Sequence, residues 1–290
     1  MNYLQILRSK KPYVERAGRE IVVPNIGRGI TVANVDDVSS VVTETDLAVG
    51  QFLLPLLREQ YPESFAEEDM NRGYVDHRWL LDNVDGTGEF VSGVYRGSSI
   101  VLGLLDEQNI PVAGLIHIPQ TRETLYGTRR SGPFYEVDGK QKKLALPPQD
   151  KIVVSQRQLA QVKKLNEFLE CLSDKTKLPV EVVMTGGMGS AFLRLMTGEL
   201  NLYIFPVGDT KEWDTAAVEP MLYRLRGDIT DLSGHRLRYG RYGEYGVWHT
   251  NGVIASCGLP NRLNHENVIR HLAEFSSRYG SILVEKVTKR

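Results

Sequence analysis

The sequence predicts an α/β protein built from two parts, an α+β half followed by an α/β half. Three patterns support this fold class: helical periodicity near the N-terminus, a series of short apolar runs in the middle, and strands alternating with helices in the second half. The texture changes around Pro147 and Pro148. We therefore predict one domain over residues 1–147 and a second over residues 148–290.

The first half is predicted to contain a helix and then an antiparallel meander. Between residues 39 and 60 a strand end leads into a helix, because leucine and phenylalanine recur at helical spacing until Tyr61-Pro62. From residue 98 to 137, short apolar runs are separated by turn-like residues, which predicts antiparallel strands. These runs are Ile100–Leu105, Val112–Ile118, Thr124–Gly127 and Phe134–Val137.

In the second half of the chain, predicted strands alternate with predicted helices. Its predicted strands are Ile152–Val154, Val180–Met184 and Leu200–Phe205, and its predicted helices cover Leu159–Leu172 and Ser190–Thr197. Strands that alternate with helices in this way imply a parallel or mixed sheet.

Composition excludes several classes of protein. The formal net charge is −1, and no basic patch of the kind that binds a nucleic-acid polymer is expected. Cys171 and Cys257 lie far apart, so both are interpreted as reduced thiols. No apolar run approaches the roughly 18 residues of a membrane span, and no signal-peptide pattern follows Met1. We expect a cytoplasmic protein without membrane contact.

Acidic residues are concentrated in four short segments where hydrophobic periodicity does not require them. The segments are Thr43–Asp46, Glu67–Asp69, Asp82–Thr87 and Glu212–Ala217. Each also has a purely structural interpretation. Asp46 and Asp214 occupy positions typical of helix caps, residues 67–69 are compatible with a solvated loop, and Asp85-Gly86 is a common hairpin sequence.

The third segment offers ligands for both a metal and an anion. Asp82 ends an apolar strand, and ligands in α/β sheets bind at that edge. Asp85 follows three residues later, and together with the Val84 carbonyl these oxygens suit a hard cation such as Mg²⁺. Gly86 and Thr87 begin a short predicted helix, so their backbone N–H groups would point at a phosphate.

Four motifs occur in a characteristic order and spacing. They are Thr43-x-x-Asp46, Glu67-Glu68, Asp82-x-x-Asp85-Gly86-Thr87 and Trp213-Asp214-x-Ala216-Ala217, with looser similarity at Gly189-Ser190-Ala191 and from Asp231 to Gly252. This set resembles the signatures of the inositol monophosphatase superfamily, whose members are lithium-sensitive, Mg²⁺-dependent phosphatases. The resemblance implies a layered αβαβα sandwich of the sugar-phosphatase type, with the metal site between the halves. Homodimers are common in that family.

The residues also depart from the family pattern at particular positions. Asn83 stands where the family usually has proline, and Gly88 stands where it has lysine, which removes stiffness and one cation from this loop. Pro220 falls in the helix that Asp214 opens, where proline commonly kinks or breaks a helix.

Two stretches resemble the 3′(2′),5′-bisphosphate nucleotidase branch of the superfamily, namely Gly86–Phe90 and Gly208–Ala217. Inositol-specific members carry a glutamate shortly before the Trp-Asp pair, whereas this chain has Phe205-Pro206-Val207. The resemblance implies hydrolysis of the 3′(2′)-phosphate of adenosine 3′(2′),5′-bisphosphate. One alternative is an inositol monophosphatase or a sugar (fructose-1,6-bis)phosphatase of the same superfamily. A second is an inactive relative that binds metal or phosphate as a regulator.

The resemblance also implies a set of metal ligands. Glu67, Asp82 and the Val84 carbonyl would hold one Mg²⁺, and Asp82, Asp85 and Asp214 would hold a second. Glu67 would help to hold a third ion, and Mn²⁺ would be able to substitute. On this basis the N-terminal domain carries most of the metal ligands, and the C-terminal domain contributes Asp214 and substrate contacts.

Catalytic and substrate-binding roles follow from the same resemblance. Thr87, hydrogen-bonded to Asp46, would orient a metal-activated water and pass on its proton, so the implied catalytic residues are Asp46, Thr87 and Glu67. The substrate, a small phosphorylated metabolite, would contact Gly86, Thr87, Gly189, Ser190 and Glu212. None of the six histidines falls in these motifs, and all are interpreted as structural or surface residues.

Overall fold

The computed structural model describes most of the chain, and its helices include the predicted ones together with long helices near both ends that the sequence analysis did not predict. The described residues are 1–28, 31–34, 41–62, 64–67, 79–145, 147–156, 163–208, 210–240, 248–260 and 263–284. The helices are α1 (Tyr3–Ala17), α2 (Glu44–Arg58), α3 (Thr87–Val91), α4 (Lys163–Thr176), α5 (Met188–Met196), α6 (Glu212–Ala216), α7 (Glu219–Arg224) and α8 (His265–Tyr279). The first residues of the helix predicted from Leu159 lie outside the described residues. Among the helices described, none is both long enough and apolar enough to cross a membrane.

The strands include the predicted ones, and further strands that were not predicted lie before, between and after them. They are β1 (Thr31–Asn34), β2 (Val41–Thr43), β3 (Phe65–Ala66), β4 (Trp79–Asp85), β5 (Ser99–Leu105), β6 (Pro111–Ile118), β7 (Glu123–Thr128), β8 (Phe134–Val137), β9 (Lys140–Lys142), β10 (Ile152–Gln156), β11 (Val180–Met184), β12 (Leu202–Phe205), β13 (Thr210–Lys211), β14 (Asp228–Thr230), β15 (Trp248–His249) and β16 (Val253–Ser256).

A seven-stranded sheet in the order β3-β4-β5-β6-β7-β8-β9 occupies the first half. The predicted meander is confirmed, because β5 to β8 pair antiparallel in sequence order. Strand β4 runs between β3 and β5, parallel to the former and antiparallel to the latter. Every residue of β4 is buried, including its acidic end, so the sheet places two aspartates where water is largely excluded.

The second half contains a five-stranded mixed sheet in the order β11-β10-β12-β16-β14. Strands β11 and β12 both pair parallel with β10, and β16 and β14 add antiparallel strands at one side. The prediction of a parallel or mixed sheet is therefore confirmed. Helices α4 and α8 pack on each other through Phe168 and Phe275, whose ring centroids are 5.7 Å apart.

The chain divides into two compact units, and two segments from the predicted C-terminal domain belong to the first of them. Unit 1 comprises Met1–Lys143, Gly186–Leu193 and Trp213–Arg224, and unit 2 comprises Leu144–Thr185, Arg194–Glu212 and Leu225–Arg290. The main break lies close to the expected boundary after residue 147. Asp214, however, belongs to unit 1, whereas the sequence analysis assigned it to the C-terminal domain.

Asp214 groups with unit 1 because its helix lies directly on the seven-stranded sheet. Gly103 of β5 allows this close approach, since a Cβ atom there would lie 2.8 Å from the Cβ of Ala216. The expected interruption at Pro220 is also present. Helix α6 ends at Ala216, and α7 begins at Glu219 with Pro220 in its first turn, where the missing N–H removes no helical hydrogen bond.

Several buried ionisable groups belong to the core. Burial lowers the pKa of His117 to about 4, and Nδ1 of its ring lies 3.1 Å from the Glu123 carbonyl oxygen. Burial also lowers the pKa of His249 to about 4 and raises that of the free thiol Cys257 to about 11. These groups are neutral near pH 7, in agreement with their structural interpretation.

Candidate metal centre and active site

The acidic end of β4 contains an irregularity that brings two aspartates to the same face. In the pairing with β5, Asp82 lies opposite Val101 and Asp85 lies opposite Ser99. Three steps along β4 therefore correspond to two steps along β5, as in a β-bulge. Residues three apart in a regular strand face opposite sides, and one extra residue reverses this relation. The bulge thus lets both carboxylates point to one site.

Asp214 completes this site. One carboxylate oxygen each of Asp82, Asp85 and Asp214 lies within 4.8 Å of the others, and all three residues belong to unit 1. Asp82 and Asp85 are buried, and Asp214 is half-buried. A donor set made of carboxylate oxygens suits Mg²⁺, which prefers hard oxygen ligands. The residues present therefore fit a divalent cation of this class.

Asp85 is held by an array of hydrogen-bond donors. The Met188 N–H donates to Oδ1 at 2.8 Å, and the Gly189 N–H donates to Oδ2 at 2.8 Å. The Ser99 hydroxyl donates to Oδ2 at 2.7 Å. A side chain at Gly187 would collide with the carboxylate, so glycine is needed for this approach.

Asp46 takes part in a capping box at the start of α2, where Thr43 is the N-cap and Asp46 is the third helical residue, so the interpretation of Asp46 as the N-cap itself was wrong by three residues. Its Oδ2 accepts hydrogen bonds from the Thr43 hydroxyl and, at 2.8 Å, from the Thr43 backbone N–H. Burial raises the pKa of Asp46 to about 6, although the hydrogen bonds from Thr43 lower it. The charge of Glu67 is a smaller cause that also raises this pKa. Asp46 is thus a buried carboxyl group that titrates near neutral pH.

Thr87 has a different partner from the one implied by the resemblance. Its hydroxyl donates to the Val84 carbonyl oxygen at 3.0 Å, whereas the expected bond was to Asp46. The difference arises because the capping box supplies Asp46 with Thr43 as a partner within α2. The Thr87 hydroxyl thus contacts the main-chain oxygen that was expected to bind a cation.

Asn83, which stands where the family usually has proline, connects two parts of the site. Its side-chain amide donates to the Asp46 carbonyl oxygen at 2.9 Å. The residue is buried between Asp82 and Val84 on β4. This hydrogen bond links β4 to the first turn of α2. It therefore opposes the loss of stiffness that was expected because asparagine replaces proline at this position.

Glu67 is half-buried and lies outside the three-aspartate group found among the described residues. Its effect on the pKa of Asp46 places its charge near that residue. Glu68 and Asp69, the other acids of its motif, lie outside the described residues.

Two of the expected substrate-binding residues lie at the start of α3, and the other three make hydrogen bonds elsewhere in the protein. Gly86, with a φ of 76°, and Thr87 lie directly after Asp85 at the start of α3. Gly189 donates its N–H to Asp85, and the Ser190 hydroxyl donates to the Arg96 carbonyl oxygen at 2.6 Å. Glu212 is buried in unit 2, where its Oε2 accepts the Gly240 N–H at 2.8 Å. Gly189, Ser190 and Glu212 thus each form a hydrogen bond to another residue of the chain.

Sequence reasoning missed Ser99 and the backbone of Met188 as partners of Asp85. A serine at the start of an apolar strand does not by itself indicate contact with a metal ligand. Ser98, the residue before it, is also a buried serine. Only the register of β4 against β5 distinguishes the two serines, because it places Ser99 opposite Asp85.

Comparison with known proteins identifies relatives over most of the chain. Residues 14–277 match the inositol monophosphatase family. The 3′(2′),5′-bisphosphate nucleotidase CysQ of Aggregatibacter actinomycetemcomitans is 30% identical over 224 residues, which are 74% of this chain and 80% of that protein. The fructose-1,6-bisphosphatase/inositol-1-monophosphatase of Thermotoga maritima is 25% identical over 257 residues, which are 88% of this chain and 91% of that protein.

A solved structure supports the same assignment at the level of the fold. An inositol monophosphatase (IMPase)/NADP phosphatase complexed with Mg²⁺ and phosphate has a TM-score of 0.71 at 21% identity, covering 99% of this chain and 100% of that one. The matched family, together with its named relatives, defines the protein as a phosphatase, a hydrolase of phosphoric monoesters. The chain belongs to the inositol monophosphatase family.

Proposed function

We propose that this phosphatase depends on Mg²⁺ and removes the 3′(2′)-phosphate of adenosine 3′(2′),5′-bisphosphate. The observation that carries the metal requirement is the convergence of Asp82, Asp85 and Asp214 within 4.8 Å. The choice of substrate is supported by 30% identity to a bisphosphate nucleotidase and by the nucleotidase-like stretches Gly86–Phe90 and Gly208–Ala217.

The residues assigned to the metal fall into two groups. Asp82, Asp85 and Asp214 would hold one Mg²⁺, and Glu67 with Asp82 and the Val84 carbonyl would hold a second, with Glu67 also helping a third. Bound Mg²⁺ would supply Lewis-acid activation of water and compensation of phosphate charge. Strand β4 and helix α6 carry the three aspartates, and both elements belong to unit 1.

Asp46 and Thr87 are proposed to manage the proton of the attacking water. Asp46 has a pKa of about 6, so at pH 7 it is mostly ionised and able to accept that proton. The Thr87 hydroxyl donates to the Val84 carbonyl, and its oxygen lone pairs remain able to accept a hydrogen bond from water. The capping box with Thr43 holds the Asp46 carboxylate in place during this transfer.

The substrate phosphate is proposed to lie against the start of α3. Gly86 and Thr87 follow Asp85 there, and their backbone N–H groups are the proposed donors to phosphate oxygens. A small phosphorylated metabolite is the substrate class that this arrangement accommodates. The homodimer implied by the resemblance and the cytoplasmic location expected from the sequence remain predictions.

The second candidate function is hydrolysis of an inositol phosphate or a sugar bisphosphate. It is favoured by the Thermotoga maritima relative, which matches a larger share of this chain than the nucleotidase does. Against it stands the stretch Phe205-Pro206-Val207, whose side chains offer no hydrogen bond to a sugar hydroxyl.

A comparison of substrates tests the proposal. Adenosine 3′,5′-bisphosphate, inositol 1-phosphate and fructose 1,6-bisphosphate are supplied in parallel with MgCl₂, and phosphate release gives kcat/KM for each. We expect the nucleotide to exceed the others by about tenfold or more, as is usual when a site is built around one substrate. A higher kcat/KM for inositol 1-phosphate or fructose 1,6-bisphosphate would assign the second function. If no phosphate were released from any of the three compounds, both candidate functions would be contradicted.

Lithium provides a separate test of the cation site. Li⁺ carries one charge fewer than Mg²⁺, so we expect it to replace a cation next to product phosphate without supporting another turnover. Inhibition by LiCl should then be uncompetitive with respect to substrate, and KCl at equal ionic strength is the control. Inhibition no stronger than that by KCl would separate this protein from lithium-sensitive relatives and leave the Mg²⁺ mechanism standing.

A further inference from the structure

The carboxylate of Asp85 is held from two directions by segments far apart in the sequence. Strand β5 supplies the Ser99 hydroxyl to Oδ2, and the first turn of α5 supplies two N–H groups, one to each oxygen. All of these residues belong to unit 1. Asp85 is only 5% exposed, so water competes little for these hydrogen bonds.

The first turn of α5 is itself anchored on the loop before β5. The Gly187 N–H donates to the Gly97 carbonyl at 2.6 Å, and the Ser190 hydroxyl donates to the Arg96 carbonyl at 2.6 Å. Arg96 in turn is fixed by an ion pair with Glu123, whose Oε1 lies 2.9 Å from Nη2. The donors to Asp85 are thus parts of a connected framework within unit 1.

The number of donors determines what Asp85 has left for a cation. An ionised carboxylate has about four lone-pair sites, two on each oxygen. From the described residues, Oδ2 accepts two hydrogen bonds and Oδ1 accepts one. One site on Oδ1 therefore remains, and rotation of the carboxylate away from it would break three hydrogen bonds.

We propose that Ser99 is a positioning residue for the metal centre, which together with the first turn of α5 orients Asp85 to bind a cation through Oδ1. This inference rests on the proposed function, because it assumes that Asp85 is a metal ligand. It gives Gly189 and Ser190 a role in supporting Asp85, where the family resemblance implied substrate contacts. Groups that orient a metal ligand typically change metal affinity by about 10- to 100-fold when they are removed.

Matched substitutions at Ser99 test this role. Ser99→Ala removes the hydroxyl, and Ser98→Ala removes a hydroxyl from the neighbouring buried serine. Ser99→Thr and Ser99→Val have the same shape and differ only in the hydroxyl, so any cost of the added methyl group cancels between them. Titration calorimetry with MgCl₂ measures the affinity of each purified protein, and phosphate release measures the Mg²⁺ activation constant and kcat.

We expect Ser99→Ala to weaken Mg²⁺ binding by about tenfold or more and to raise the activation constant equally, while saturating Mg²⁺ restores most of kcat. Ser99→Thr and Ser98→Ala should bind like the parent, and Ser99→Val should bind like Ser99→Ala. Equal affinities of the Thr and Val variants would overturn the inference, even if Ser99→Ala failed to fold. If the parent itself bound no Mg²⁺, the proposed function would fail, which is a separate result.

Discussion

Replacing Asp214 by asparagine is expected to lower kcat by about 10³-fold or more while leaving the fold intact. Asp214 contributes one of three carboxylates to the candidate metal centre and is half-buried on α6. Asparagine keeps the shape but removes the charge that compensates a divalent cation. Loss of several kcal/mol of transition-state stabilisation corresponds to roughly this factor, since about 1.4 kcal/mol changes a rate tenfold.

Asp214 is a better target than Asp85 for this experiment. The Asp85 carboxylate accepts hydrogen bonds from Ser99 and from two N–H groups of α5. An asparagine at position 85 would place its side-chain NH₂ group against the Ser99 hydroxyl or one of the two backbone N–H groups. The hydrogen bond there would be lost, and an unpaired buried polar group destabilises the protein. The Asp85→Asn variant therefore mixes a catalytic effect with a structural one, whereas Asp214 is half-buried, so a polar substitution there costs less in burial.

Thermal unfolding without metal distinguishes a ligand from a structural residue. Three carboxylates gathered without a cation repel one another, so Asp214→Asn should melt at the parent temperature or above it when EDTA is present. Asp174→Asn removes the same charge from an exposed position on α4 and should change neither kcat nor the melting temperature. A melting temperature several degrees lower, or a kcat within about tenfold of the parent, would contradict the assignment of Asp214.

Local sequence patterns predicted the central helices and strands, but they did not predict α1, α8 or every contact between elements. The acidic segments stood out because their positions conflict with hydrophobic periodicity, and three of the predicted ligands do converge in the structure. The contact between Thr87 and Asp46 was not found, because Thr43 is only three residues away and forms a local capping box. Local hydrogen bonds of this kind compete directly with longer-range ones.

Contacts between distant segments depend on register, which periodicity alone does not determine. Ser99 meets Asp85 because β4 carries a bulge, and one residue of shift would turn Ser99 to the other face. Asp214 joined unit 1 for a related reason, since the close packing of α6 on β5 depends on Gly103. The Asn83 tether to Asp46 likewise depends on how β4 lies against α2.

Removal of the metal should abolish turnover and lower the melting temperature together. The carboxylate oxygens of Asp82, Asp85 and Asp214 lie within 4.8 Å of each other. At that separation an effective dielectric constant of about 20 gives roughly 3 kcal/mol of repulsion for each ionised pair. A divalent cation offsets this repulsion and also supplies the Lewis acid of the proposed reaction. We therefore expect no measurable activity in excess EDTA and full recovery when MgCl₂ is restored. MnCl₂ is tested as a substitute for MgCl₂.

The same cation should stabilise the folded protein, because the unfolded chain does not hold the three carboxylates together. Mg²⁺ at about 100 times its Kd adds about 2.7 kcal/mol to the free energy of unfolding. For a chain of this size, that corresponds to a rise of about 4 °C in melting temperature. The matched control is Asp214→Asn, in which the rise should be much smaller, while KCl should have little effect on either protein. Full activity in excess EDTA, or an equal Mg²⁺-induced rise in the parent and in Asp214→Asn, would show that the three-aspartate site is not where the cation acts.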